Sequence, residues 1–432
     1  MKKVRVILPE KFDLVVGDTF QMFYRGIIDA PNPYIYDILA VCEKGRNCPR
    51  YFECTPTEEG EYKLKISVFG PGKELLGEAE TMLVAKNPVQ PKKPVSILCV
   101  GDSLTAGGQW PGEAMRRLTS TDGEPVGNGL KDISFIGTCE KDGCRYEGYG
   151  GWRWETYYTT AVGAMWIVCH GHDKTTEDQH SLWQDENGYI WQLETLADEW
   201  NKFNRYQQHD GPLPPAGSKL MPYKNVTHTS PFIIESRSQE KCSPFYDEQS
   251  GKVDFKTYCK RNGFDGIDMF YILLGGNGRV EDYLAGLSIT EQAEKNAESA
   301  KLVTRLVHEA YPQAKVRIMG ISLPSIDGGS GVSYGAVMPA CDWYGFTRFV
   351  LESNRVHQEW VLLPEFRDYV DFVNVSAQFD VENALPKAEK PVNTRNVKTE
   401  LLGINGLHPT EEGYMLVADA AYRNMVHTLA EF

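Results

Sequence analysis

Two hydrophobic rhythms divide the chain. Over residues 62–68, Tyr62, Leu64, Ile66 and Val68 alternate with Lys63, Lys65 and Ser67, the period of a strand with one wet face. Further short apolar runs, punctuated by Gly17-Asp18, Gly45, Glu59-Gly60 and Gly70-Pro71-Gly72, predict a small β-sandwich over residues 1–87. Its first strand is expected at Val4, Val6 and Leu8. Residues 88–94 are a proline-rich linker. From residue 95 the rhythm changes to unbroken apolar runs alternating with helical stripes. Strands are expected over 96–100, 133–137, 269–274 and 316–321 and near 372–375. Helices are expected around Met115 and Leu118, over 289–310 behind a Ser288/Glu291 capping box, and from Thr410 onward with Tyr414, Val417, Ala421 and Met425 as the buried stripe. The predicted fold class is α/β: a three-layer α/β/α parallel sheet over 95–432, preceded by the all-β domain.

The run at 97–100 stops at Gly101-Asp102-Ser103, which puts a serine at the carboxyl end of a buried strand, where ligands bind in open α/β sheets. Three later segments open at the same sheet edge. They are Glu147-Gly148-Tyr149-Gly150-Gly151-Trp152, Gly275-Gly276-Asn277-Gly278 and Asn405-Gly406-Leu407-His408-Pro409. A serine, a glycine-rich turn, an asparagine amide and a histidine are what acyl transfer needs: a nucleophile, a base, and donors for the developing oxyanion.

About 130 residues separate the second and third of these strands, far more than a crossover requires. The resulting insertion, at about 153–262, is aromatic-rich. Trp152, Trp154, Trp166, Trp183, Trp191 and Trp200 lie in or beside it, and 183–191 reads as a hairpin turning at Asn187-Gly188. These rings either stack sugar or form the insertion's own core; Trp152 and Trp154 are the substrate-binding candidates. His170, His172 and His180 lack a matching cysteine or carboxylate pattern, so no metal and no cofactor is expected.

A net charge of −14 argues against nucleic acid as partner. Residues 1–95 hold 14 basic and 13 acidic side chains, leaving 31 against 46 for the remainder, so the acidity sits on the larger part. No apolar stretch reaches membrane-spanning length. The amino terminus lacks an apolar signal core, so a cytoplasmic protein is expected, or an extracellular one if a signal has been removed. Of the ten cysteines, Cys42, Cys48 and Cys54, or Cys139 and Cys144, are close enough in sequence to pair, but free thiols are expected.

The order of the four site segments resembles the SGNH/GDSL hydrolase superfamily, and the Glu147 to Trp152 segment resembles its carbohydrate acetylesterases. The resemblance implies Ser103 as nucleophile and His408 as general base. It implies an oxyanion hole of the Ser103 and Gly151 N–H groups with the Asn277 amide. Residues 57–66 separately resemble the tyrosine corner of immunoglobulin-like domains. The implied activity is hydrolysis of small acyl esters, most simply acetyl, on a carbohydrate. The alternatives are a short-chain lipolytic esterase or thioesterase, and a catalytically silent carbohydrate-binding protein. Two positions depart from the pattern: Gly278 and Asn405 stand where the family usually has aspartate. Loss of that carboxylate costs serine proteases about 10⁴ in turnover. Either a backbone carbonyl orients His408, or another carboxylate does, or the protein is weak or inactive.

Overall fold

The computed structural model describes residues 3–158, 166–170, 182–184, 190–192, 219–222, 231–235, 243–247, 249–279, 282, 285–327 and 343–432. They fall into two compact units, Met1–Trp154 with Cys259–Phe432, and Glu155–Tyr258.

The first unit is built on a seven-stranded sheet. Its strands are β1 (Val95–Gly101), β2 (Ile133–Ile136), β3 (Cys139–Lys141), β4 (Cys144–Gly148), β5 (Met269–Leu273), β6 (Lys315–Met319) and β7 (Val370–Val373). β1 pairs parallel with β5 along one edge, and β5, β6 and β7 continue parallel from there. Its other edge is shared: Val95 to Leu98 face β2, and Val100 and Gly101 face Glu147 and Gly148 of β4. Among the described residues of this sheet, only the β3–β4 hairpin is antiparallel.

Unbroken apolar strands form here because both faces of the sheet are buried. Ile97, Cys99, Met269, Tyr271 and Leu273 join one core with Trp110, Ala114 and Leu118 of helix α1 (Gln109–Thr119). Val417, Ala421 and Met425 of the last helix belong to the same core. The alternate residues Leu98, Val100, Phe270 and Ile272 are buried outside that core, on the opposite face. Helix α2 (Ile289–Ala310), which starts on the expected Ser288/Glu291 capping box, packs against α3 (Trp343–Trp360). The last helix, α4 (Glu411–Leu429), is capped by Thr410 and packs against α1.

The amino-terminal residues form two small sheets with one shared core that includes Phe12, Leu14, Phe20, Phe52, Leu64, Ile66 and Leu83. Tyr62 Oη donates to the Glu58 carbonyl at 3.3 Å, and the immunoglobulin-like resemblance rests on this corner alone. The strand expected at Val4, Val6 and Leu8 does not form. Val6 makes an isolated bridge to Ile28, and Ile7 between them is buried, so the alternation does not match one wet face. These sheets share a compact unit with the central sheet. Asp18 accepts from Arg117 of α1 and Arg423 of α4, both at 2.6 Å, while Asp13 meets Asn424 and His427 of α4.

In the second unit, Trp166–His170, Pro231–Glu235 and Lys219–Pro222 form an antiparallel sheet, and Leu182–Gln184 pairs with Ile190–Gln192. Trp183 lies opposite Trp191, so the two segments pair as a hairpin, and the expected Asn187-Gly188 turn lies outside the described residues. Tyr157, Phe245, Phe255 and Tyr258 cluster face and edge, so part of this aromatic content makes the unit's own core.

Candidate active site

β1 ends at Gly101 because nothing larger fits. A Cβ there would lie 2.1 Å from Thr105 Oγ1 and 2.7 Å from the Leu273 carbonyl. The chain then turns into one helical turn, Ser103–Ala106. Asp102 caps it: Oδ1 accepts from Leu104 N at 3.0 Å, and the Asp102 carbonyl accepts from Thr105 N and Ala106 N. Trp110 Nε1 donates to Thr105 Oγ1 at 3.0 Å, fastening the turn to α1. Ser103 is left half-buried at the carboxyl edge of the sheet.

His408 arrives from the loop before α4. Its Nε2 lies 3.0 Å from Ser103 Oγ, across 305 residues of sequence. Its loop is pinned where Ser325 N donates to the Gly406 carbonyl and Thr410 N to the Ala384 carbonyl. Burial pushes the His408 imidazole below its ordinary value, which keeps it neutral at neutral pH.

Asn405 biases the tautomer of that neutral ring. Its Oδ1 accepts from Leu407 N and His408 N, both at 3.0 Å, and these two donors fix which end of the amide is oxygen. Nδ2 is therefore the atom facing His408 Nδ1, at 3.5 Å. An N–H aimed at Nδ1 favours the lone pair there. The ring proton then sits on Nε2, donated to Ser103 Oγ. That is the reverse of what a resting general base requires.

The glycine-rich segment is held against the same strand end. Tyr149 N donates to the Gly101 carbonyl at 3.0 Å, and Trp152 N to the Tyr149 carbonyl at 3.2 Å. Gly151 completes the turn at φ +78°, with open space where a side chain would stand. Glu147, fully buried, accepts from Thr138 N, Thr138 Oγ1 and Tyr149 Oη, and so orders the loop. Tyr149 and Trp152 stack at 4.1 Å.

Asn277 ties the segments together. Its Nδ2 donates to Asp102 Oδ2 at 2.9 Å and to the Trp152 carbonyl at 3.0 Å, which occupies both amide hydrogens. Asp102 is buried, and desolvation pushes its carboxyl up to about 7. Sequence reasoning assigned no role to Asp102 or Glu147, although both stand inside the quoted segments; burial of an acid is not visible in sequence.

Ser103, Gly151, Trp152, Asn277, Asn405 and His408 are thus carried on segments joined at one sheet edge. Trp154 is a correction. It is 1% exposed, beside His357 in the core, and offers no face to a sugar ring. His172 and His180 lie outside the described residues. Among the described residues, no group of three or more His, Cys, Asp or Glu could hold a metal ion. Cys139 and Cys144 stand opposite Tyr146 and Lys141 in their hairpin rather than opposite each other, and Cys144 is a free thiol.

No protein-family model matches the chain, and no curated protein matches it. Solved structures with a similar layout include a mutant acetyl esterase with acetate ion (11% identity, 78% of this chain, 99% of that one, TM-score 0.35). A carbohydrate esterase family 3 protein from Talaromyces cellulolyticus matches similarly (11% identity, 78% and 99%, TM-score 0.36). A family two carbohydrate esterase from Cellvibrio japonicus matches over 100% of this chain and 96% of its own (12% identity, TM-score 0.26). These are distant likenesses of architecture alone.

Proposed function

We propose that the protein is a serine esterase that removes a small acyl group, acetyl in the simplest case, from a carbohydrate. The observation that carries this reading is the 3.0 Å contact between Ser103 Oγ and His408 Nε2. With its proton moved to Nδ1, His408 accepts the Ser103 hydroxyl proton as Oγ attacks the ester carbonyl. The carbonyl oxygen becomes an oxyanion facing the backbone N–H groups of Ser103 and Gly151. Asn277 adds a third donor if one of its hydrogens leaves its present acceptor. His408 then protonates the departing alcohol, and water repeats the sequence on the acyl-enzyme. The stacked Tyr149–Trp152 pair beside the glycine turn supports a sugar alcohol as the leaving group.

The Asn405 amide aimed at His408 Nδ1 supports a second reading, a site that binds the acylated sugar and turns it over slowly or not at all. p-Nitrophenyl acetate, butyrate and octanoate, each assayed against Ser103→Ala, separate the two. Acetate turnover above the Ser103→Ala background is expected. Turnover equal to that background removes the esterase reading, and a preference for octanoate removes the acetyl assignment. Acetate release from acetylated polysaccharides tests the sugar.

A further inference from the structure

We propose that Asn405 is a self-modification site: its own surroundings convert it to aspartate, and the conversion switches on the Ser103–His408 pair. The functional half of this inference rests on the esterase reading above.

The bonds around one amide carry the inference. Asn405 is followed by Gly406, whose missing side chain leaves its backbone nitrogen the least hindered nucleophile a polypeptide can place next to an asparagine. Oδ1 accepts two backbone N–H bonds, from Leu407 and His408, both at 3.0 Å. Two donors on one amide oxygen make a small oxyanion hole, which polarises Cγ towards attack. The departing nitrogen, Nδ2, lies 3.5 Å from His408 Nδ1, whose lone pair can carry the proton given up by Gly406 N to Nδ2 as the Cγ–Nδ2 bond breaks.

The chemistry balances. Gly406 N loses its proton and bonds to Cγ, Nδ2 gains a proton and leaves as ammonia, and a succinimide remains. Water then adds at Cγ and the Cγ–N bond breaks, restoring the Gly406 N–H and leaving a side-chain carboxylate. Because the two donors polarise Cγ rather than the main-chain carbonyl, ring opening yields ordinary aspartate rather than isoaspartate. The new carboxylate keeps one oxygen on Leu407 N and His408 N and turns the other to Nδ1. It then holds the ring proton there and frees Nε2 to act as base. Of the four other asparagines followed by glycine (Asn128, Asn187, Asn262 and Asn277), Asn128 spends its amide on Tyr422 Oη and Asn277 on Asp102 and Trp152, so these two serve as the internal controls.

The test uses the full chain, purified cold at mildly acidic pH and then held at mildly alkaline pH and physiological temperature. Peptide mapping follows Asn405, Asn128 and Asn277, and p-nitrophenyl acetate turnover is read at each time point beside Asn405→Asp and Ser103→Ala. Conversion to aspartate at Asn405 ahead of Asn128 and Asn277 is expected. Turnover should climb in step, by on the order of 10²–10⁴-fold, towards the Asn405→Asp level. A persisting amide, conversion at equal rates at all three positions, or isoaspartate as the main product overturns the inference. If the amide persists while Asn405→Asp hydrolyses the ester, only this inference falls. If neither form exceeds Ser103→Ala, the esterase reading falls and takes the activation with it.

Discussion

Replacing Asn405 by aspartate changes one heavy atom and reverses a tautomer. In the amide form, Leu407 N and His408 N hold Oδ1, so an N–H must face His408 Nδ1. The base-competent ring, with its proton on Nδ1, then sets two donors against each other at 3.5 Å and leaves the imidazolium of the transition state without a counter-charge. In Asn405→Asp the same two backbone donors keep one carboxylate oxygen, and the other accepts from Nδ1. Aspartate-to-asparagine exchange at the equivalent place in a serine protease costs about 10⁴. The 3.5 Å separation is long for a hydrogen bond, so the amide's hold on the wrong tautomer is weak and part of that factor is already recovered. A rise in kcat/KM of about 10²–10⁴ is expected, or about 2.7–5.4 kcal/mol of transition-state stabilisation. The pH profile supplies an independent sign. Burial alone lowers the His408 imidazole in the amide form, and an adjacent carboxylate raises it. The acid limb of kcat/KM therefore moves to higher pH in Asn405→Asp. The assay is p-nitrophenyl acetate hydrolysis across that limb, with the wild-type amide verified intact by mass. A folded Asn405→Asp variant with unchanged kcat/KM and an unmoved acid limb refutes the tautomer argument.

Two groups that hold the site in place can be tested in the same way. Asp18→Ala takes from the buried Arg117 and Arg423 guanidinium groups the carboxylate both bond, while Arg117 keeps Asp419 and Arg423 keeps Gln378, and a loss of about 1.5–3 kcal/mol in denaturant unfolding is expected; a loss under about 0.5 kcal/mol would show that the contact adds little. The Asp18 carboxyl is held below its ordinary value because Arg423 and Arg117 outweigh its desolvation. Its contribution is therefore complete above the unfolded-state carboxylate pKa and is lost as pH falls through the lower folded value. The gap between wild type and Asp18→Ala should accordingly close in acid, and a gap that widens there contradicts the assignment. Gly101→Ala forces a Cβ to 2.1 Å from Thr105 Oγ1, and should abolish turnover even where circular dichroism shows a folded chain; near-wild-type turnover would mean the nucleophile turn tolerates displacement.

How much was legible beforehand depended on whether the signal was local. The strand 95–101 and helix 289–310 were readable because periodicity and a capping box are written in adjacent residues. Helix Trp343–Trp360 and the exposed hairpin of Lys387–Asn393 with Asn396–Gly403 were not anticipated. The helix has no acidic residue in its first turn, and the hairpin carries Lys390, Glu389, Lys398 and Glu400 in place of alternating apolar residues. The site itself was legible as four segments in order, because a parallel sheet opens all such loops at one edge. Its internal wiring was not. That Asn277 uses both hydrogens on Asp102 and Trp152, and that Trp154 belongs to the core, depends on contacts between residues more than a hundred positions apart or on burial.

The esterase reading turns on Ser103 being a nucleophile activated by His408. The most direct measurement is covalent labelling with a fluorophosphonate, which reacts only with an activated hydroxyl, followed by peptide mapping. The label is expected on Ser103, absent from Ser103→Ala, and slowed by at least on the order of 10²-fold in His408→Ala. A label that never appears on Ser103, or that forms as fast in His408→Ala as in the wild type, would contradict it.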